Sequence, residues 1–73
     1  MTLADVKRGT KFNIKHIPDE VVRAQALRLG ISEGAQLICD EKVPGGPVII
    51  KRNLQEIAIG RNLAKNILIE EIN

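Results

Sequence analysis

The sequence predicts a small, mainly β domain: a partly open barrel of five strands with one α-helix and a short helical turn near the C-terminus. Aliphatic residues dominate its 73 positions, with eleven isoleucines, seven leucines and five valines against a single phenylalanine and no tyrosine or tryptophan. Such β-branched composition favours strands. Several short stretches also alternate between apolar and polar side chains, and glycine and proline separate them.

The first strand is predicted over residues 10–17. Phe12 and Ile14 alternate there with Lys11, Asn13 and Lys15, so one face of the strand should be buried. Residues 2–6 are predicted only as a short lead that precedes the strand.

The helix is predicted to begin with Pro18 at its first position, followed by Asp19 and Glu20 at the positive end of the helix dipole. Gly30 is free to adopt the left-handed conformation that ends helices. The predicted apolar stripe consists of Val22, Ala26 and Leu29, widened by Val21 and Leu27.

A β-hairpin follows the helix. After a turn at Gly34, Ala35, Leu37 and Cys39 share one face of a strand. Its reversal is predicted to be a type II turn, because Pro44 has the φ of the second position and Gly45 can take the positive φ of the third. Pro47 then opens the next strand, which continues through residues 48–50.

The remaining residues predict a strand over 54–59, about one helical turn over 61–66 and a last strand over 67–70. This order suits an SH3-like barrel better than a sandwich, which needs more strands. Residues 1–73 are predicted to form a single domain. The predicted core consists of Leu37, Val48, Ile50, Ile57 and Ile59, together with Val22, Ala26 and Leu29 from the helix.

Eleven basic and nine acidic residues are interleaved and give a net charge of +2. This pattern indicates a solvated mixed surface rather than a nucleic-acid footprint, and aromatic side chains on which bases could stack are missing beyond Phe12. One cysteine cannot form an intramolecular disulfide, and the N-terminus lacks the apolar stretch of a signal peptide. The predicted location is cytoplasmic, without insertion into a membrane.

The sequence predicts neither a catalytic site nor a bound cofactor. Because His16 is the only histidine and Cys39 the only cysteine, one chain cannot supply four strong zinc or iron ligands. A metal site shared between two chains, formed by His16 with Asp40, Glu41 or Glu70, remains an alternative. Cys39 is predicted to be a small buried side chain.

Two further patterns have structural interpretations. Gly45 and Gly46 are followed by proline and a strand, whereas a phosphate-binding loop would open a helix. The pairs Asp40-Glu41 and Glu70-Glu71 are neighbours along strands, so their side chains point to opposite faces and do not form an acid–base dyad. We therefore expect a binding protein rather than an enzyme.

The stretches LRLGISEGAQLICDEKVPGGPVIIKR and QEIAIGRNLAKNILIEE, in this order and spacing, resemble the ferrous iron transport protein A (FeoA) family over nearly the whole chain. The resemblance implies a small cytosolic SH3-like barrel that accompanies the membrane transporter for ferrous iron, FeoB, which has a cytosolic GTPase domain. It places ferrous iron in the pathway rather than in this chain. A similar module occurs in metal regulators of the diphtheria-toxin-repressor type.

An alternative interpretation is a dimeric DNA-binding regulator. Residues 17–23 and 29–34 are also similar to the swapped-hairpin AbrB/MazE-type fold. That fold would leave residues 54–73 unexplained, although their isoleucines and leucines belong in a core.

If the chain binds a transporter, exposed loops and positive charge are the features to test first. The predicted partner-binding residues are Arg23, Arg28, Pro44, Gly45, Gly46 and Pro47. Whether the chain also associates with itself is left open.

Overall fold

The computed structural model of the protein describes residues 1–72. A short 3-10 helix, Leu3–Asp5, precedes the main elements. These elements are β1 (Lys11–His16), α1 (Glu20–Arg28), β2 (Gln36–Lys42), β3 (Val48–Arg52), β4 (Gln55–Ile59), α2 (Arg61–Ala64) and β5 (Leu68–Ile72).

The five strands form one antiparallel sheet in the order β4-β3-β2-β1-β5. The predicted mainly β class with five strands, one helix and a later helical turn is confirmed. The sheet curves into a small, partly open barrel with β4 and β5 at its two edges. Part of the β5 edge is covered by the N-terminus, because the Ile69 amide donates to the Met1 carbonyl at 3.0 Å.

Within residues 1–72, the core contains sixteen buried apolar residues, and every element contributes to it. Phe12 and Ile14 of β1 are among them, as the alternation of that strand predicts. Of the predicted core, Leu37, Val48, Ile50, Ile59 and Ala26 are buried, and Val22 and Ile57 are half-buried against them. Cys39 is fully buried, as predicted.

The predicted apolar stripe of α1 is wrong in part. Leu29 is 39% exposed, Val21 68% and Leu27 63%. Ala26 is the buried residue of α1, and its small side chain lets the helix backbone lie close to the barrel, so residues on either side point outward. Leu29 is the C-cap with φ −89° and ψ 2°, so its side chain no longer follows helical spacing.

The start of α1 also differs from the prediction. Asp19, not Pro18, is the boundary residue: its Oδ1 accepts from the amides of Val21 at 2.8 Å and Val22 at 3.2 Å. The helix therefore begins at Glu20 behind an Asp N-cap, one of the favoured types. Pro18 precedes the cap and is exposed. α1 has nine residues, and residues 1–72 include no helix of the length and apolar character needed to cross a membrane.

The N-terminal residues belong to the core rather than to a mere lead. Leu3 and Val6 are fully buried on either side of Asp5. Thr2 is the N-cap of the 3-10 helix, and its amide and hydroxyl both donate to the Asp5 carboxylate at 3.1 Å. A threonine followed three residues later by an acid is the signal that the sequence carries for this element.

The strand predicted from residue 54 begins one residue later. Asn53 adopts φ 55°, which asparagine tolerates better than most residues, and the chain reverses there between β3 and β4. Leu54 lies at the tip and is 96% exposed. Residues 55–59 then pair with β3.

Candidate protein-binding surface

The tip of the β2–β3 hairpin is a tight, largely apolar turn. The Gly46 amide donates to the Val43 carbonyl at 2.8 Å, and the Val43 amide donates to the Pro47 carbonyl at 3.1 Å. Gly45 has φ 71°, as the predicted type II turn requires. Pro44 and Gly45 are exposed, and Gly46 and Pro47 are half-buried. The tip therefore presents a preformed shape to solvent, with few side-chain donors or acceptors.

A lysine fixes the base of this hairpin. Lys42, the last residue of β2, donates from its ammonium to the carbonyl of Ala4 at 2.7 Å. The bond ties the hairpin to the N-terminal 3-10 helix and removes this positive charge from the set that is free to bind a partner.

Arg23 is engaged within the chain. Its Nε and Nη2 both donate to the carbonyl of Ile17, at 3.1 and 2.8 Å. That carbonyl lies just before the helix, so the guanidinium stabilises the connection between β1 and α1. Arg23 therefore has a structural contact in addition to any contact with a partner.

Arg28 is the freer of the two predicted arginines. It is exposed in the last turn of α1, where positive charge complements the negative end of the helix dipole. The helix ends just beyond it: Gly30 has φ 80° and the Ile31 amide donates to the Ala26 carbonyl at 2.9 Å.

The six predicted residues form two groups at opposite ends of β2. The loop of residues 29–35 connects α1 to the first residue of that strand, and the hairpin tip follows its last residue. Seven residues of strand span about 20 Å. One extended partner segment, or two separate contacts, would be needed to engage both groups.

A bond that the sequence analysis missed joins β1 to the loop after α1. Glu33 Oε2 accepts from the Ile17 amide at 3.1 Å and lies 2.9 Å from His16 Nδ1. The Ile17 amide, followed by the His16 contact, lowers the pKa of the Glu33 carboxyl from its usual range. His16 and Glu33 are 17 positions apart in the sequence, and only the fold brings them together.

The structure does not bring His16 near the reactive group of Cys39. His16 pairs with Glu33 on the surface, whereas Cys39 is buried and its Sγ contacts the Glu41 carbonyl at 3.9 Å. Burial raises the pKa of the Cys39 thiol, which opposes formation of a nucleophilic thiolate. Within residues 1–72, no three His, Cys, Asp or Glu side chains are grouped as metal ligands would be.

A groove of about 560 Å³ lies between α1 and α2 and was not predicted from the sequence. Val22 and Leu63 form its apolar walls and both pack against the core. Its other lining residues are polar or small: Gln25, Gly60, Arg61, Asn62 and Asn66.

A family-model match and similar solved structures identify the family of this chain. The family model described as the FeoA domain matches residues 1–71. A solved structure of an iron uptake regulatory protein, FeoA, is similar over 99% of this chain and 100% of its own, with a TM-score of 0.87 and 27% identity. Comparison with curated proteins finds no match.

Two further solved structures have the same fold. The FeoA-like protein from Clostridium acetobutylicum has a TM-score of 0.85 and 25% identity, over 100% of this chain and 87% of its own. The FeoA protein from Chlorobium tepidum has a TM-score of 0.84 and 25% identity, over 100% of this chain and 71% of its own.

Proposed function

Because this chain belongs to the FeoA family, we propose that it acts in ferrous iron uptake as a small cytosolic accessory protein. In this proposal it works by binding the cytosolic, GTPase-containing part of an FeoB-type transporter, and not by catalysis. The observation that carries the proposal is the family match over residues 1–71, together with the similarity to an iron uptake regulatory protein along its whole length.

The side chains support binding over catalysis. The one thiol is buried with a raised pKa, and the one histidine is paired with Glu33. What the barrel offers to a partner is a tight turn at Pro44 and Gly45 and the exposed Arg28. Rigid loops on a scaffold are a common place for such contacts.

The DNA-binding alternative has less support. The swapped-hairpin interpretation left residues 54–73 outside its fold, yet Ile59, Ile67 and Ile69 are buried with Phe12 in one core. The pairing of β5 with β1 also joins that segment to the first strand.

The first test is a binding titration of the purified chain with the transporter's cytosolic domain, with labelled duplex DNA in a parallel series. We expect saturable binding to the domain and none to duplex at physiological salt. A stable dimer that shifts duplex, with an affinity that falls steeply as salt rises, would overturn the proposal in favour of the DNA-binding alternative.

Two surface variants locate the contact. Arg28→Glu and Pro44→Glu change exposed positions in the two separate groups, and at least one should weaken binding about tenfold, as loss of an interface anchor does. Arg23→Glu is less informative, because it also removes the bonds to the Ile17 carbonyl. Lys11→Glu, which makes the same charge change as Arg28→Glu at an exposed site on β1, is the control.

A further inference from the structure

The outer face of the sheet carries a shallow groove in which lysines alternate with aliphatic side chains. Lys11 of β1 lies opposite Ile72 of β5 and also opposite Ile38 of β2. Ile38 in turn lies opposite Lys51 of β3, and residues paired in this way point to the same face. Because neighbouring strands are about 4.8 Å apart, the backbones at Lys11 and Lys51 are separated by about 10 Å, with Ile38 between them. The groove has a volume of about 390 Å³.

The charges that line this groove are positive. Within residues 1–72 its lining includes Lys11, Lys51 and Arg52 and no acid. Arg52 is engaged within the chain, because its Nη1 donates to the Gly30 carbonyl at 2.7 Å. Lys11 and Lys51 are exposed, and the ion pair found among residues 1–72 involves neither of them. Glu56 of β4 lies opposite Lys51 in the register but outside the groove lining. Two ammonium groups therefore face an anionic partner.

An exposed leucine lies next to the groove, at the turn between β3 and β4. Arg52 pairs with Gln55, so Asn53 and Leu54 form a two-residue turn. Asn53 lines the groove, and Leu54 is 96% exposed. Turns of this length favour asparagine, aspartate and glycine, so neither the turn nor the core requires a leucine here. Together with Ile38, which is 38% exposed in the groove, Leu54 places aliphatic surface beside the lysines.

This combination of features fits an anionic lipid surface better than other partners. The headgroup layer supplies negative charge for the lysines, and the apolar layer beneath it receives a protruding leucine without a shaped pocket. Lysine suits such a boundary, because its long stem can lie along apolar surface while the ammonium stays among the headgroups. Nucleic acid would need side chains on which bases stack, but Phe12, the one aromatic residue, is fully buried.

We propose that this face of the sheet binds the surface of an anionic lipid bilayer. Leu54 enters the boundary between headgroups and acyl chains, and Lys51 and Lys11 contact the lipid phosphates. The association is peripheral and reversible, because one leucine and two lysines provide only weak attraction. The titration with the transporter's cytosolic domain contains no bilayer, so either proposal can fail without the other.

The test is sedimentation of the purified chain with sucrose-loaded vesicles in which one quarter of the lipid is phosphatidylglycerol and the rest phosphatidylcholine. We expect saturable binding at low ionic strength, weaker binding as salt rises, and none to vesicles of phosphatidylcholine alone. Leu54→Ser should weaken binding about tenfold, because the apolar contact is lost. Lys51→Gln should weaken it about fivefold, because one charge at the lipid surface is removed.

Matched variants separate this face from general attraction of a basic protein to negative lipid. Val21→Ser removes an aliphatic side chain that is 68% exposed at the start of α1. Lys65→Gln removes an exposed charge just after α2. Neither residue lines the groove, and each change should alter binding by less than about twofold. Glu56→Gln should strengthen binding, because it removes the acid opposite Lys51.

Four results would overturn the inference. Absence of binding to the phosphatidylglycerol vesicles at low ionic strength would show that the face has no affinity for lipid. Equal losses from Lys51→Gln and Lys65→Gln would show attraction without a defined face. A dimer of the lipid-free chain that Leu54→Ser dissociates would assign the surface to a second copy. Saturable binding of a soluble acidic peptide, acetyl-Glu-Leu-Glu-Leu-amide, more tightly than of vesicles would assign it to a protein segment.

Discussion

At the level of single residues, Leu37 and Ile38 are neighbours on β2 with opposite surroundings. Leu37 is 3% exposed and faces the core, whereas Ile38 is 38% exposed on the outer face of the sheet. The alternation of side chains along a strand produces this contrast, and the sequence shows it directly. Burial, not residue type, should therefore decide what each side chain contributes to stability.

Leu37→Ala is predicted to lower the free energy of unfolding by about 2–4 kcal/mol, because it leaves a cavity in a packed core. Ile38→Ala is the matched control and should cost well under half of that, since much of its side chain is already in water. Urea unfolding of both variants measures the difference. A loss of under about half a kilocalorie at Leu37 would contradict the core described here.

Glycines at the turns offer a second residue-scale test. Gly34 has φ 90° and Gly45 has φ 71°, the latter as predicted, and apart from the glycine and its two chain neighbours no atom lies within 4 Å of where a Cβ would stand. Alanine at either position should therefore cost about 1–2 kcal/mol from backbone strain alone. Gly60 has equally open surroundings but φ −57°, so Gly60→Ala should cost little or stabilise slightly. Equal effects at all three positions would argue against the turn assignments.

The Glu33 carboxylate predicts a pH dependence. Its pKa in the folded chain is lowered below the ordinary value of 4.5 by the Ile17 amide and then by His16. The stability that it contributes is therefore present above pH 4.5 and is lost as the pH falls through the folded-state pKa. Glu33→Gln should show a smaller loss of stability on acidification than the wild-type chain. Glu56→Gln, at an exposed residue of β4, should follow the wild-type curve; identical curves for all three chains would refute the assignment.

At the level of elements, the strands were predictable and the helix face was not. The alternation of Phe12 and Ile14 identifies a buried strand face without further information. The predicted apolar stripe on α1 is wrong in part, because the nine-residue helix covers little of the barrel and Ala26 makes its closest contact with the core. Spacing shows which residues share a face, but how closely the helix approaches the sheet depends on tertiary packing.

The beginning of α1 gives a prediction at this scale. Asp19 accepts two amide hydrogen bonds that would otherwise lack partners inside the helix. Asp19→Ala should therefore destabilise the chain by about 1 kcal/mol. Glu20→Ala, in the first helical turn but without the capping bonds, should cost less, and thermal unfolding compares the two. A larger loss at Glu20 would contradict the assignment of the cap.

At the level of the whole molecule, the family and the five-stranded barrel could be predicted, because glycine turns and strand alternation are local signals with a characteristic order. The candidate sites were harder to predict from the sequence. Glu33 meets His16 and Ile17 only after the chain folds. The groove at Arg61 forms between helices that are distant in sequence. Arg23 was predicted as a partner-binding residue, and the bonds from its guanidinium to the Ile17 carbonyl could not be foreseen from the sequence.

The central claim is that this chain serves ferrous iron uptake, and uptake itself is the most direct measurement. Cells of the source organism that lack the chain would be supplied with radioactive ferrous iron and complemented with the wild-type sequence or Leu37→Ala. We expect uptake to fall without the chain and to return with the wild-type sequence, and to return less with Leu37→Ala, because less of it is folded. Unchanged uptake in cells that lack the chain would contradict the account.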